Sequence, residues 1–445
     1  MRSAMSSTVP ARRRLRPGLT ALALGPLLLG LGACGVLGAA PAPATSTGPA
    51  PSTSGSASGP ASARPSTPAS PSGPASPSVS ASASSSATPS ATPAPSEDAA
   101  GRCAALVQRL TPEERVGQLL MVAVTSTGVT PEQAAAVGST HAGSVILLGN
   151  STAGLRSVQG AVADVRQAAV RPQRVGVLLA ADQEGGLVQR LAGDGFSDIP
   201  SAEQQAKLSD DELAQKAELW GDQLDRAGIN ADLAPVADVV PPRLAAVNEP
   251  IAKLRRGYGS SPSAVAQKVD AFTTGMRQAG IATAVKHFPG IGAVRGNTDT
   301  ATRVVDTTTT RRDPGLAGFR AAVDAGTDMV MVSSVVYTRI DPRRQAVFSP
   351  TVVHGMIRGD LGFTGVVISD DLAAAAVRDE SPARRAVGFV RAGGDLAIVG
   401  DPTEAATMAE ALVDRAADDP AFADRVDESA ARVLALKDRR GLADC

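Results

Sequence analysis

The sequence predicts an α/β protein whose folded part is one (β/α)8 barrel of the TIM type. Three observations predict it. From Leu106 onward, apolar runs of strand length alternate with amphipathic stretches of helix length, the pattern of βα units on a parallel sheet. Eight such runs can be counted, the number that closes a sheet of this kind into a barrel. Residues able to do chemistry cluster where those runs end, and barrels of this class carry their sites at the C-terminal strand ends.

The 445 residues divide into three segments. Residues 1–33 read as a secretory leader, with Arg2, Arg12, Arg13, Arg14 and Arg16 ahead of the apolar stretch Leu19–Ala33. That stretch, about 15 residues, is shorter than the ~20 that a permanent membrane-spanning helix needs. It ends in Leu31-Gly32-Ala33-Cys34, which resembles a bacterial lipobox. Cys34 is therefore the expected lipidation site and the first residue of the mature chain, with an ordinary cleaved leader as the alternative. Residues 34–99 are almost wholly Ala, Pro, Ser, Thr and Gly, cannot bury a core, and read as a disordered tether. As a coil, ~65 residues reach about 45 Å. The expectation is an extracytoplasmic protein held to the membrane through its lipid, with the barrel in residues 100–445 and no second domain after it.

The strands are expected at Leu119–Val124, Gly143–Leu148, Val175–Ala180 and Ile229–Pro235, then at Ile281–Lys286, Met329–Ser334, Gly365–Ser369 and Asp395–Val399. Between them, Asp211–Ala227 puts Leu213, Ala217, Trp220 and Leu224 on one helical face, so the single tryptophan reads as core rather than as a sugar platform. Pro262–Gly280 and Thr403–Leu436 read as outer helices, the second broken near Pro420, which cannot continue the backbone hydrogen-bond ladder. Cys103 and Cys445 bracket the barrel. Chain ends often meet on a compact domain and an exported chain favours oxidation, so a disulfide between them is expected, two free thiols being the alternative.

Strand three leads to Asp182, strand four to Asp232 and Asp238, strand five to Lys286 and His287, and strand seven to Asp370 and Asp371. Any one carboxylate at such a position is readily an ion-pair partner or a cap, the reading preferred for Asp232 and Asp371. The stretch Lys286–Asp299, KHFPGIGAVRGNTD, is a strand end running into a loop with Gly290, Gly292 and Gly296, preceded by a turn at Gly280. A glycine-rich backbone on a rigid base suits a mobile lid. Together with DQEGGLVQR (Asp182–Arg190) and VVISDDL (Val366–Leu372) it makes three motifs in order. In these motifs residues 104–440 resemble the family 3 glycoside hydrolases, specifically the single-domain bacterial β-N-acetylglucosaminidases, or β-N-acetylhexosaminidases, of cell-wall turnover.

The resemblance implies that Asp370 is the nucleophile, forming a glycosyl-enzyme and so retaining stereochemistry. It implies that Asp182 holds two sugar hydroxyls, with Gly185 and Gly186 allowing a close backbone approach. Arg190, Arg256 in LRRGYG, Lys286 and His287 would complete the first sugar subsite. Ala373 and Ala374 stand where the family usually has Ser-Met, a change in packing near the site. The acid/base departs further. The familiar enzymes read KHFPGHG and then D-S-H, the last histidine being the proton donor; here Ile291, Asn297, Thr298 and Asp299 occupy those places. Asp299 is then the expected acid/base and Asn297 its hydrogen-bonding neighbour, with Asp306 or no acid/base at all as the alternatives. A carboxylate left anionic by proton donation repels phosphate but can deprotonate water, which favours hydrolysis over phosphorolysis. To donate near neutral pH, Asp299 needs its pKa raised from the ordinary value of about 3.9, through lid closure beside Asp370 and Asp182.

Composition removes other classes. Three histidines with no HxH or HExxH spacing argue against a metal or other cofactor, and a net charge of −1 without basic runs beyond the leader argues against nucleic acid. Aromatics at 2% mean that a sugar must be held by charged hydrogen bonds, with Phe288 and Tyr258 the candidates for an apolar wall. The expected protein is a monomeric exo-glycosidase removing terminal β-linked N-acetylglucosamine, with peptidoglycan fragments as the implied source. The N-acetyl preference comes from the resemblance alone. A β-glucosidase of the same family and a non-catalytic glycan-binding lipoprotein are the other readings.

Overall fold

The computed structural model describes residues 97–445, with side chains from residue 101 onward. The expected leader, Cys34 and most of the tether lie outside the described residues. The first helix, Glu97–Val107, starts ahead of the expected boundary at residue 100.

Eight parallel strands form the barrel: β1 Leu120–Thr125, β2 Ser144–Leu148, β3 Leu178–Ala181, β4 Ala231–Asp232, β5 Ala282–Phe288, β6 Met329–Val332, β7 Val366–Ser369 and β8 Ala397–Val399. They pair in the order β7-β6-β5-β4-β3-β2-β1-β8. The ring is closed between β7 and β8 by a parallel bridge from Ile368 to Leu396. Side chains alternate as a closed sheet requires. Met121, Ile146, Ala180, Ala284, Met331 and Ile368 belong to the cluster that fills the barrel. Their neighbours Val122, Val145, Leu179, Val285, Val330 and Val367 pack outward under the helices.

All eight strands lie where expected to within a few residues, and two depart most. The third begins at Leu178 because Val175–Val177 are engaged elsewhere; Gly176 donates its N–H to the Leu442 carbonyl of the C-terminal tail. The fourth is reduced to Ala231–Asp232, because Pro235 has no N–H to offer the ladder. Beyond it the chain stays beside β5 through its carbonyls, Ala234 and Pro235 accepting from Ala284 and Lys286.

The outer layer follows from local chemistry. The helix Asp210–Ala227 starts at Ser209, whose hydroxyl accepts from Glu212 N–H while the Glu212 carboxylate accepts from Ser209, and stops at Gly228 with φ +83°. Trp220 is buried on its inner face against Phe272, as expected. The last expected helix is two, Ala405–Asp418 and Pro420–Arg439, divided at Pro420 as the sequence indicates. Pro420–Arg439 closes the N-terminal mouth of the barrel: Val433 and Leu436 join the interior cluster, and Cys445, just past its end, is disulfide-bonded to Cys103.

Candidate active site

The C-terminal mouth holds a cavity of about 270 Å³ whose lining includes Asp182, Arg190, Arg256, Lys286, His287, Asp299 and Asp370. Every catalytic and substrate-binding residue expected from the sequence therefore reaches one cavity. They come from four places: the hairpin after β3, the loop after β4, β5 with its following loop, and the end of β7.

The cation side of the cavity rests on a residue that sequence reasoning left unassigned. Asp182 and Glu184 are two apart on an extended segment and reach the same ammonium, Lys286 Nζ lying 2.5 Å from Asp182 and 2.7 Å from Glu184. Glu184 also takes both arms of Arg256, through Nε and Nη2 at 2.8 Å each. Burial alone would raise the Glu184 carboxyl, but Arg256 and Lys286 hold it well below the usual carboxylate range. Burial would lower the Lys286 amine; Asp182 and Glu184 keep it above its ordinary value. The cations thus stay charged at the base of the pocket, oriented before any ligand arrives. The available signal was the period-two spacing of Asp182 and Glu184. Gly185 (φ +101°) does permit a close approach, but to chain: a Cβ there would sit 2.3 Å from the Pro200 carbonyl.

Asp370 is set apart. Its backbone N–H is bound to the Val332 carbonyl, and Oδ1 accepts from Asp371 N–H at 3.0 Å. No cation pairs with this carboxylate among the described residues. Burial pushes its pKa up to about 6, and the nearby Asp299 charge adds to that. Asp371 behaves as a structural residue, its Oδ1 accepting from Ala373 and Gly400 N–H at 2.8 Å each. Asp232 is also structural, but as neither ion pair nor helix cap: Oδ1 accepts from Gln183 N–H at 2.9 Å, and Oδ2 has no partner.

Asp299 stands exposed at the rim, and its own N–H donates to Asn297 Oδ1 at 3.1 Å. Asn297 is its neighbour as expected, but through the backbone. The alternative, Asp306, is consumed by a turn: it accepts from Thr308 and Thr309 N–H at 2.6 and 2.9 Å and from both threonine hydroxyls. It does not line the cavity.

Two expectations need correction. The glycines at the start of the loop do not form a free backbone. Buried Asn248 donates through Nδ2 to the carbonyls of Ile291, Gly292 and Val294, and a Cβ on Gly292 would lie 1.9 Å from the Val239 carbonyl. Gly292 serves close packing, and the exposed part of the loop comes later, around Arg295 to Arg303. Nor do Phe288 and Tyr258 wall the pocket. Phe288 is fully buried edge-on to Phe319, and the Tyr258 hydroxyl donates to Gln205. The apolar lining is aliphatic instead, with Leu148, Val188, Leu254 and Ile291 above and Leu233, Met331 and Ile398 from the barrel interior below.

Comparison with known proteins fits this geometry. Residues 111–436 match the model of the glycosyl hydrolase family 3 N-terminal domain. A β-hexosaminidase of Stenotrophomonas maltophilia (strain K279a) is 34% identical over 269 residues, which span 58% of this chain and 76% of the relative. The crystal structure of a β-N-acetylhexosaminidase from Beutenbergia cavernae superposes with a TM-score of 0.72 at 45% identity, covering 74% of this chain and 99% of that one. A family 3 β-N-acetylglucosaminidase from Paenibacillus sp. superposes with a TM-score of 0.67 at 29% identity, covering 76% of this chain and 64% of that one. With the family model matched over most of the barrel, and with the unpaired carboxylate and its cation cradle where that fold places a site, the chain belongs to glycosyl hydrolase family 3.

Proposed function

We propose that this glycoside hydrolase removes terminal β-linked N-acetylglucosamine from glycans by a retaining mechanism. The observation that carries the reading is Asp370, a buried carboxylate with no cation partner among the described residues, facing the same small cavity as Asp182, Arg256 and Lys286. At about 270 Å³ the cavity suits one terminal ring, which favours exo action. Asp182, Lys286, His287 and Arg190 hold the ring's hydroxyls. Asp370 attacks the anomeric carbon while Asp299 gives its proton to the leaving oxygen. Asp299, then anionic, takes a proton from water, which attacks the glycosyl-enzyme and frees Asp370. The anion at Asp299 repels phosphate, so water is the acceptor.

The N-acetyl preference is supported by the relatives, which are β-hexosaminidases and β-N-acetylglucosaminidases by name. We read peptidoglycan fragments as the source of substrate and the cell membrane as the location, with Cys34 carrying the lipid. The Cys103–Cys445 disulfide supports an oxidising compartment. Cys34→Ala should move the protein out of the membrane fraction, and its retention there would remove the lipid anchor from this reading.

The deciding test is nitrophenol release from the p-nitrophenyl N-acetyl-β-glucosaminide and β-glucoside, comparing the full chain with Asp370→Asn and Asp299→Ala. Asp299→Ala should lose about 10²–10⁴-fold on a natural leaving sugar, far less on nitrophenol, and yield a β-azide when azide is added. Faster turnover of the glucoside would make it a glucosidase. Silence on both substrates with sugar binding intact would leave a glycan-binding protein.

A further inference from the structure

Asp238 is a fully buried carboxylate, and neither the sequence motifs nor the reaction above gives it a role. It follows β4 on the segment that lies beside β5, where Ala237 N–H donates to the Lys286 carbonyl. Its two oxygens do different things. Oδ2 lies 2.8 Å from His287 Nδ1. Oδ1 accepts from Ile291 N–H at 2.7 Å, and His287 N–H points at it from 3.5 Å. Ile291 opens the loop that carries Asn297 and Asp299, so one carboxylate grips both the sugar-site histidine and the root of the loop bearing the expected proton donor.

The other ring nitrogen fixes the direction of these bonds. His287 Nε2 is 3.3 Å from Arg256 Nη2, and a guanidinium can only donate. Nε2 must then accept, which leaves the proton on Nδ1, where Asp238 takes it. Arg256 cannot turn away, because Glu184 holds it by two bonds and Pro250 carbonyl takes Nη1 at 2.9 Å. We propose that Asp238 is a positioning residue that fixes His287 in its Nδ1–H form, with Nε2 bare toward the sugar site, and ties that orientation to the first residues of the loop carrying Asp299. The Arg256 contact is long at 3.3 Å, so the single Nε2 lone pair is shared with a sugar hydroxyl that donates to it; the opposite tautomer would have no lone pair there and would set two donors against each other at Arg256.

Asp238→Asn is the informative variant. Its Oδ1 still accepts from Ile291 N–H, so the loop root is kept, while its amide presents a donor to His287 Nδ1 and drives the ring proton to Nε2. The measurement is long-range proton–nitrogen correlation NMR of the histidine side chains on the full chain. With three histidines, the His287 signals are those missing from His287→Gln. The wild type should show Nδ1 protonated and Nε2 bare, and Asp238→Asn the reverse. kcat/KM should fall on the order of 100-fold, by the same factor for nitrophenyl and sugar leaving groups, since the defect lies in holding the glycone and not in protonating the leaving oxygen. Asp299→Ala separates the two, its loss shrinking with the better leaving group. A protonated Nε2 in the wild type overturns the proposal even if the variant fails to fold. An Asp238→Asn protein with unchanged tautomer and unchanged kcat/KM overturns it as well. If the wild type cleaves no glycoside, the hydrolase reading fails, and the tautomer measurement still decides the role of Asp238.

Discussion

Asp328 and Asp395 at the N-terminal mouth of the barrel are met by arginines, whereas Asp370 at the C-terminal mouth meets none. Asp395 takes Arg358, Arg425 and Arg432, and Asp328 takes Arg439 and Arg440. Four of these five cations lie on or just past the helix Pro420–Arg439, so the two carboxylates latch it across the barrel floor. Burial opposes ionisation of Asp395, but its three arginines win and hold its pKa below the ordinary value. At Asp370 no arginine answers burial, the Asp371 N–H offsets it only in part, and the pKa rises to about 6. Both are buried aspartates at strand ends. What separates them is cation supply: where charge is matched the carboxylate joins parts of the fold, and where it is left unmatched it is available to a ligand that develops positive charge.

The largest effect should come from breaking the unmatched end. Asp370→Asn should lower kcat/KM on the order of 10⁴-fold or more while the protein stays folded, as read by nitrophenol release beside a denaturation curve. In the wild type, kcat/KM should fall about tenfold per pH unit below about pH 6, because the nucleophile becomes protonated there. A flat profile down to pH 4.5 would mean that burial does not raise this carboxyl.

The matched end should fail in the opposite way. Asp395→Asn leaves Arg358, Arg425 and Arg432 facing a neutral amide in a buried setting, and unfolding free energy should drop by about 3–5 kcal/mol with kcat per folded molecule unchanged. With its folded pKa depressed, Asp395 contributes stability above its ordinary value near 3.8 and loses it as pH falls through the folded value. Acid should therefore loosen the C-terminal helix. Undiminished stability in Asp395→Asn would mean that the latch adds nothing.

The same contrast explains what could be read in advance. Strand positions and the break at Pro420 were legible because apolar period and proline chemistry are local. Asp182, Asp370 and Lys286 were legible because strand-end position and motif coincide. Glu184, Asp238 and Asn248 were not assigned, since each acts on a residue distant in sequence: Glu184 on Arg256, Asp238 on His287, Asn248 on Ile291 to Val294. A buried polar residue declares itself only once its partner is known. Phe288 was misplaced for a related reason: an aromatic beside a site motif looks exposed to ligand, but β5 turns it toward Phe319.

A covalent tie reinforces the latched end. Cys103 and Cys445 are 342 residues apart in sequence and join the first helix to the tail after the last. Replacing both by alanine should cost about 2–4 kcal/mol in denaturant unfolding, less than the loss of Asp395, because the arginine latch and the packed helix remain. A cost above that of Asp395→Asn would put the main closure of the barrel floor in the disulfide.

The smallest effect tests a buried carboxylate that is neither matched by an arginine nor part of the cavity lining. Asp232 is fully buried on β4, its Oδ1 bound to Gln183 N–H and its Oδ2 without a partner; burial pushes its pKa up to about 7. With a folded pKa raised above the ordinary 3.8, its contribution to stability is fully present below that value and is lost as pH rises through about 7. This is opposite in sign to Asp395. Asp232→Asn keeps the acceptor for Gln183 and cannot ionise, so the decline in stability between about pH 4 and pH 7 should flatten. The net change at pH 8 should stay within about 2 kcal/mol, since the new amide nitrogen inherits the site without a partner and offsets the relief of a buried charge. Denaturant midpoints at pH 4.5, 6 and 8 for both proteins measure it. Parallel wild-type and variant curves would mean that Lys286, whose charge favours the ionised form, keeps Asp232 charged throughout, and that Asp232 belongs with the matched carboxylates.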